Sequence, residues 1–122
     1  MDVLHPALEV HDLDTTVAFY VDLLGLYRTR EAELGGQRHV FLGGAGPAEL
    51  QLMEVDDPVT PAGFDHLAVA ADDVDAVVES AVEEWDSDVV REPDTFEDVR
   101  LAFITDPEGY HVELIEELEP AA

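Results

Sequence analysis

Four side chains that can bind a metal ion recur at nearly the same spacing in the two halves of the sequence. His5 and His66 each open a short apolar run and are 61 residues apart. Gln51 in ELQLME and Glu113 in HVELIE are 62 residues apart. Imidazole, carboxylate and amide groups suit borderline divalent metals such as Zn, Ni, Co, Mn or Fe(II). Because the donors are duplicated, we predict a single metal site formed by these four residues.

A metal with two open positions can hold two neighbouring oxygens of a substrate and stabilise the enediolate formed when an adjacent C–H bond loses its proton. Glu113 is the one carboxylate among the four residues, so we predict that it moves this proton. Glu49 has the same strand parity as Gln51, and the sequence leaves open which of the two faces the metal. The remaining histidines are expected at the surface: His11, His39 and His111.

The elements that must position these donors also occur twice. Residues 3–55 and 64–118 each predict the order βαβββ, and residues 56–63, rich in proline and glycine, predict the linker. In the first copy we expect strands at Val3–Val10, Leu26–Ala32, Gln37–Leu42 and Ala48–Val55, with a helix capped by Asp12 or Asp14 and ended by Gly25. In the second copy we expect strands at Asp65–Ala70, Ser87–Arg91, Val99–Thr105 and His111–Leu118, with a helix capped by Asp72 or Asp73.

These elements predict an α+β fold in which two βαβββ repeats form curled mixed sheets around a central cavity, within one domain spanning residues 1–122. The alternation of side chains along a strand places His5, Ala7 and Glu9 on one face. By the same rule Gln51 shares a face with Glu49 and Met53. The donors are therefore expected on the faces that point away from the helices.

The composition restricts the functional classes. Thirty acidic residues face five basic ones, giving a formal charge of -25, which disfavours nucleic acid as a partner and suits a surface adapted to a salty cytoplasm. No cysteine is present, so thiolate ligands and disulfides are excluded. No apolar run has the roughly 18 residues that a membrane helix needs, and no signal segment opens the chain. We therefore expect a cytoplasmic protein with a small-molecule substrate and no membrane or nucleic-acid partner.

Two segments carry a resemblance to a known family. The opening segment LHPALEV, followed by DLD, FY and LLGL, resembles the start of glyoxalase I (lactoylglutathione lyase). The segment DPEGYHVELIE resembles that family's closing strand, and both are features of the vicinal oxygen chelate superfamily. The resemblance implies a metal at His5, residue 51, His66 and Glu113, and a homodimer with sites often shared between subunits. Glu9 stands where glyoxalases usually carry an arginine that binds glutathione, so the thiol is left open.

The leading hypothesis is a glyoxalase-like, metal-dependent lyase or isomerase that acts on two vicinal oxygens, such as those of a 2-oxoaldehyde–thiol adduct. Three alternatives remain. His5, His66 and Glu113 alone form the two-histidine, one-carboxylate set of an Fe(II) extradiol-type dioxygenase. Gln51 is closer to the pattern of methylmalonyl-CoA epimerases. A non-catalytic binding protein of the bleomycin-resistance type is the third alternative, although such relatives usually lose the ligands.

Overall fold

The protein is described by a computed structural model of residues 3–118. The chain divides between residues 60 and 61 into two compact units. Each unit has one four-stranded mixed sheet and one principal helix. The predicted α+β class and the two βαβββ repeats are therefore confirmed.

In the first unit the sheet order is β1-β4-β3-β2, with β1 parallel to β4 and the other pairs antiparallel. A β-bulge between Arg28 and Arg30 bends the outer strand β2. The elements are β1 (Ala7–Val10), α1 (Leu13–Ala18), a π-helical turn (Phe19–Leu23), β2 (Tyr27–Leu34), β3 (Gln37–Gly43) and β4 (Glu49–Glu54).

The second unit repeats this order as β5-β8-β7-β6, with β5 parallel to β8. Its outer strand β6 contains Pro93 and has irregular register on both sides of Arg91. The elements are β5 (Leu67–Ala70), α2 (Val74–Trp85), β6 (Val89–Phe96), β7 (Val99–Thr105) and β8 (His111–Glu117).

The two histidines do not lie inside strands, contrary to the prediction. β1 begins at Ala7 and β5 at Leu67, so His5 and His66 lie just before them. In the first unit the reason is Pro6, which has no N–H to donate to a strand ladder. The chain nevertheless runs beside β4 from Leu4 onward, because the carbonyls of Leu4 and Pro6 accept hydrogen bonds from the amides of Glu49 and Gln51.

The first helix is shorter than the predicted segment that ends at Gly25, because its second half is a π-helical turn. Asp12 caps it, accepting a hydrogen bond from the amide of Thr15 at 3.1 Å. The π-helical turn then inserts an extra residue, which rotates later side chains by about 100°. Tyr20 is fully buried, whereas Val21 and Leu24, which a regular helix would place on nearly the same side, are only partly buried. Gly25 ends the segment with a φ of 74° that other residues rarely adopt.

The second helix is regular from Val74 to Trp85. Asp73, not Asp72, caps it by accepting a hydrogen bond from the amide of Ala76. Val74, Val78 and Ala81 are buried on one face. Within residues 3–118, neither helix is long and apolar enough to span a bilayer.

Candidate metal centre

The alternation of side chains on the strands places the donors opposite the core. In β4, Leu50 and Leu52 are buried, while Glu49, Gln51 and Met53 are only partly buried and point to the other face. In β8, Val112 and Leu114 are buried and Glu113 lies between them on the opposite face. Gln51 in the first unit and Glu113 in the second unit therefore each point away from the core side of their sheet.

In the second unit, two predicted ligands face each other. Nε2 of His66 lies 3.3 Å from Oε1 of Glu113, whose side chain is 15% exposed. The other ring nitrogen of His66, Nδ1, lies 2.6 Å from Oδ2 of Asp65. An ionised carboxylate can only accept, so Nδ1 carries the hydrogen and donates it to Asp65. In the neutral ring, Nε2 therefore presents its lone pair toward Glu113.

This arrangement suits a shared cation. A lone pair and a carboxylate oxygen repel each other unless a proton or a metal ion lies between them. Two ligand atoms that each lie about 2.0–2.2 Å from one ion are separated by about 3.0–3.5 Å. The observed 3.3 Å falls in that range. Asp65 also supplies the outer carboxylate that commonly fixes the tautomer of a ligating histidine.

In the first unit, His5 has an unused buried nitrogen. Its Nδ1 is inaccessible to solvent and has no hydrogen-bond partner among the described residues. Gln51 lies directly across the sheet from Ala7 on one side and from Phe41 on the other. The ring of His5 packs edge-on against Phe41, with centroids 5.5 Å apart. His5 and Gln51 are therefore both neighbours of Phe41.

The two units repeat this local arrangement. His66 packs edge-on against Phe103 at 5.3 Å, and Glu113 lies across the sheet from Phe103 and Ala68. Phe103 is 62 residues after Phe41, the same spacing that separates Glu113 from Gln51. Sequence reasoning missed the two phenylalanines, although their equal spacing would have revealed them.

Glu49, the alternative to Gln51, has other partners. It accepts hydrogen bonds from the hydroxyl of Thr29 and from the guanidinium of Arg30, the latter at 3.3 Å. The bond from Thr29 is the main cause that holds the pKa of Glu49 below its ordinary value, and Arg30 acts in the same direction. Arg30 in turn lies over the ring of Phe41, 3.8 Å from its centroid.

The prediction that His39 lies at the surface is wrong. The residue is 7% exposed, because it lies in β3 beside the buried Val40 and on the same face as Phe41. His11 and His111 are exposed, as expected. The side-chain amide nitrogen of Gln51 lies 2.7 Å from Nδ1 of His39, a contact that sequence spacing did not predict.

One pair of the predicted donors, His66 and Glu113, is in contact. His5 lies two residues before Ala7, which pairs with Gln51 in the first sheet. Across residues 3–118, no group of three or more histidine, aspartate or glutamate side chains is close enough to hold an ion. The chemistry of the donors fits a divalent metal, since two imidazoles, one carboxylate and one amide oxygen are suitable ligands.

Comparison with known proteins gives consistent matches. Residues 2–114 match the family model "Glyoxalase/Bleomycin resistance protein/Dioxygenase superfamily". The chain is 36% identical to a lactoylglutathione lyase of Haemophilus influenzae, a match that covers 95% of this chain and 93% of the relative. It superposes on the trypanothione-dependent glyoxalase I of Leishmania major with a TM-score of 0.80 and 28% identity, covering 96% and 87% of the two chains.

The match to glyoxalase I from Zea mays has a TM-score of 0.79 and 29% identity. It covers 95% of this chain but only 44% of the maize chain, so this chain spans less than half of that relative.

Proposed function

The chain belongs to the glyoxalase/bleomycin resistance protein/dioxygenase superfamily as a lyase of the glyoxalase type, and we propose that it acts on a substrate with two vicinal oxygens through one divalent metal ion held by His5, Gln51, His66 and Glu113. The observation that carries this proposal is the pair His66–Glu113, held 3.3 Å apart with the histidine tautomer set by Asp65. The buried, unpartnered Nδ1 of His5 supports it, because a buried polar atom needs a partner.

When bound, a divalent ion supplies a Lewis acid that holds both substrate oxygens and lowers the energy of the negative charge developing on them. Glu113 accepts the proton from the substrate C–H and returns it to the neighbouring carbon. Its partial burial restricts competing exchange of that proton with water. Phe41 and Phe103 provide apolar surface beside the two histidines.

The substrate class that we propose is a 2-oxoaldehyde adduct of a thiol. The relative from Haemophilus influenzae is named a lactoylglutathione lyase and that from Leishmania major is described as trypanothione-dependent. Relatives with this fold therefore use more than one thiol, and the thiol used by this chain is to be found by assay.

We further propose a cytoplasmic homodimer, in which the donor pairs of one chain complete the site either with each other or with those of the second copy. Mass measurement by light scattering in molar salt tests the dimer. Mixing His5→Ala with Glu113→Gln subunits tests the sharing. Recovery of activity in the mixture requires sites built from two chains, whereas sites built within one chain give none.

The decisive experiment is reconstitution. Metal-free protein is reloaded with Ni²⁺, Co²⁺, Mn²⁺, Zn²⁺ or Fe²⁺ in molar salt, and thioester formation is followed spectrophotometrically with methylglyoxal and a panel of thiols. Turnover that requires a metal and is abolished in Glu113→Gln supports the proposal. Oxygen uptake with Fe²⁺ and catechols would instead favour the dioxygenase, epimerisation of an acyl-CoA would favour the epimerase, and far less than one equivalent of metal per chain would favour a binding protein.

A further inference from the structure

His39 is one of the few buried polar side chains of the described residues, together with Thr16 and Asp106. Burying an imidazole away from water costs free energy unless its nitrogens are hydrogen-bonded. One nitrogen, Nε2, is inaccessible and has no partner within residues 3–118. The other, Nδ1, has one partner, the side chain of Gln51 at 2.7 Å. Among the described residues, the contact with Gln51 is therefore the one hydrogen bond of the His39 ring.

That contact is made by the nitrogen end of the Gln51 amide. The atoms that meet are both nitrogens, Nε2 of Gln51 and Nδ1 of His39. An amide NH₂ group has no lone pair to offer, so it donates and the imidazole accepts. The hydrogen of the neutral ring is consequently on its own Nε2. With its NH₂ directed at His39, Gln51 has Oε1 left for another partner.

We propose that His39 is a positioning residue that holds Gln51 with its oxygen toward the metal, an inference that rests on the proposed metal site. The oxygen and NH₂ ends of a side-chain amide are similar in shape but differ in chemistry. If the Gln51 amide were rotated by half a turn, its NH₂ hydrogens would face the metal, and hydrogens cannot bind a cation. With Nδ1 of His39 as the acceptor, the rotated amide would place its oxygen lone pairs against the lone pair of the ring, which disfavours that orientation.

The second repeat supplies an internal comparison. In the first unit His39 lies across from Met53 and Phe41 from Gln51. In the second unit Leu101 lies across from Ile115 and Phe103 from Glu113. The position equivalent to His39 is therefore occupied by Leu101.

This difference follows from the ligands. Both oxygens of a carboxylate can bind a cation, so Glu113 has no wrong orientation and needs no residue to prevent one. Gln51 does have a wrong orientation, and its repeat alone carries the histidine. The imidazole of His39 thus accompanies the amide ligand Gln51, whereas the aliphatic Leu101 occupies the equivalent position for the carboxylate ligand Glu113.

The test uses the full chain in molar salt and measures affinity for Co²⁺ by calorimetry, with thermal unfolding as the check of folding. His39→Leu copies the side chain of the second repeat and removes the acceptor. We expect its affinity to fall about 10- to 100-fold, the usual effect of losing an outer partner of a ligand. His39→Asn places an amide oxygen near the former Nδ1 and should restore affinity to within about threefold of the parent.

The same pair of variants is then made in a Gln51→Glu background. There we expect His39→Leu to change the affinity by less than about threefold, since a carboxylate has no wrong orientation. A second readout is independent of the metal: the ¹⁵N spectrum of the histidine ring should show an unprotonated Nδ1 and a protonated Nε2 at residue 39.

Three outcomes would overturn the inference. His39→Leu could bind Co²⁺ as tightly as the parent, or the loss could be equal in the Gln51 and Gln51→Glu backgrounds, which would indicate packing alone. Failure of His39→Asn to recover any affinity would likewise contradict it. Absence of Co²⁺ binding by the parent protein would reject the proposed metal site itself, and the parent titration separates that result from the other three.

Discussion

Nε2 of His66 lies 3.3 Å from Oε1 of Glu113, while Asp65 accepts the hydrogen on the opposite side of the imidazole ring. The local backbone brings the two side chains together, since Glu113 lies across from Ala68, two residues after His66.

Replacing Glu113 by glutamine should separate proton transfer from metal binding. The amide oxygen keeps a ligand atom on β8, but an amide cannot accept the substrate proton. We expect kcat to fall by about 10²- to 10⁴-fold, the usual contribution of a general base. Steady-state rates with the thiol identified by reconstitution provide the measurement, and metal content after dialysis is the control. Full activity in this variant would show that another group moves the proton.

Replacing His66 by alanine should remove the metal while leaving the fold intact. The side chain of His66 is 35% exposed and lies outside β5, so its loss creates little cavity. We expect Co²⁺ affinity to fall by more than about 100-fold, beyond the effect of losing an outer partner. The matched control is His111→Ala, an exposed histidine at the start of β8. Equal metal content in the parent and the His66→Ala variant would contradict the assignment.

Gln51 and Glu49 lie on the same face of β4, and their substitution distinguishes the two candidate ligands. Gln51→Leu should lower Co²⁺ affinity at least about tenfold, because it removes a ligand atom. Glu49→Gln should leave the affinity within about threefold, because Glu49 already accepts hydrogen bonds from Thr29 and Arg30. Calorimetric titration of both variants provides the measurement. The reverse order of effects would assign the metal to Glu49.

The cap of the first helix should give a pH-dependent contribution to stability. The amide of Thr15 lowers the pKa of Asp12 from its ordinary value of 3.8. A lowered pKa means that the stabilisation is present at neutral pH and is lost as the pH falls below 3.8 through the value in the folded state. Asp12→Ala should therefore reduce the free energy of unfolding by about 1 kcal/mol at pH 7 and by less in acid.

Urea titrations of the parent protein and the variant at several pH values measure this difference. Asp12→Asn is the control, since asparagine keeps the acceptor but cannot titrate. Its difference from alanine should stay constant with pH. A difference between the parent and Asp12→Ala that does not change with pH would contradict the role given to the ionised carboxylate.

The sequence predicted most of the fold because the turn and helix-cap signals of the first half of the chain occur again in the second half. Residues 99–105 form a strand with the predicted bounds, and the face of Gln51 followed from alternation in β4. The π-helical turn at Phe19–Leu23 was missed because apolar spacing over so short a segment does not distinguish an inserted residue from a regular helix.

The site was only partly predictable. The type and spacing of the four donors could be read from the repeat, and so could the neighbouring phenylalanines. His39 was assigned to the surface because a single histidine carries no sign of what lies across the sheet from it. Its burial follows from the register of β3 with β4, which depends on pairing between residues far apart in sequence.

Each sheet ends in strands that are poor templates for further pairing. β1 and β5 have four residues each, β2 is bent by the bulge between Arg28 and Arg30, and β6 contains Pro93 at an irregularity. Ions in solution weaken the electrostatic repulsion between charged strand edges. They do not change the length of a strand, the presence of a bulge or the missing N–H of proline. The protection of these edges against amyloid-like growth therefore depends partly on backbone geometry, and this contribution is independent of the salt concentration.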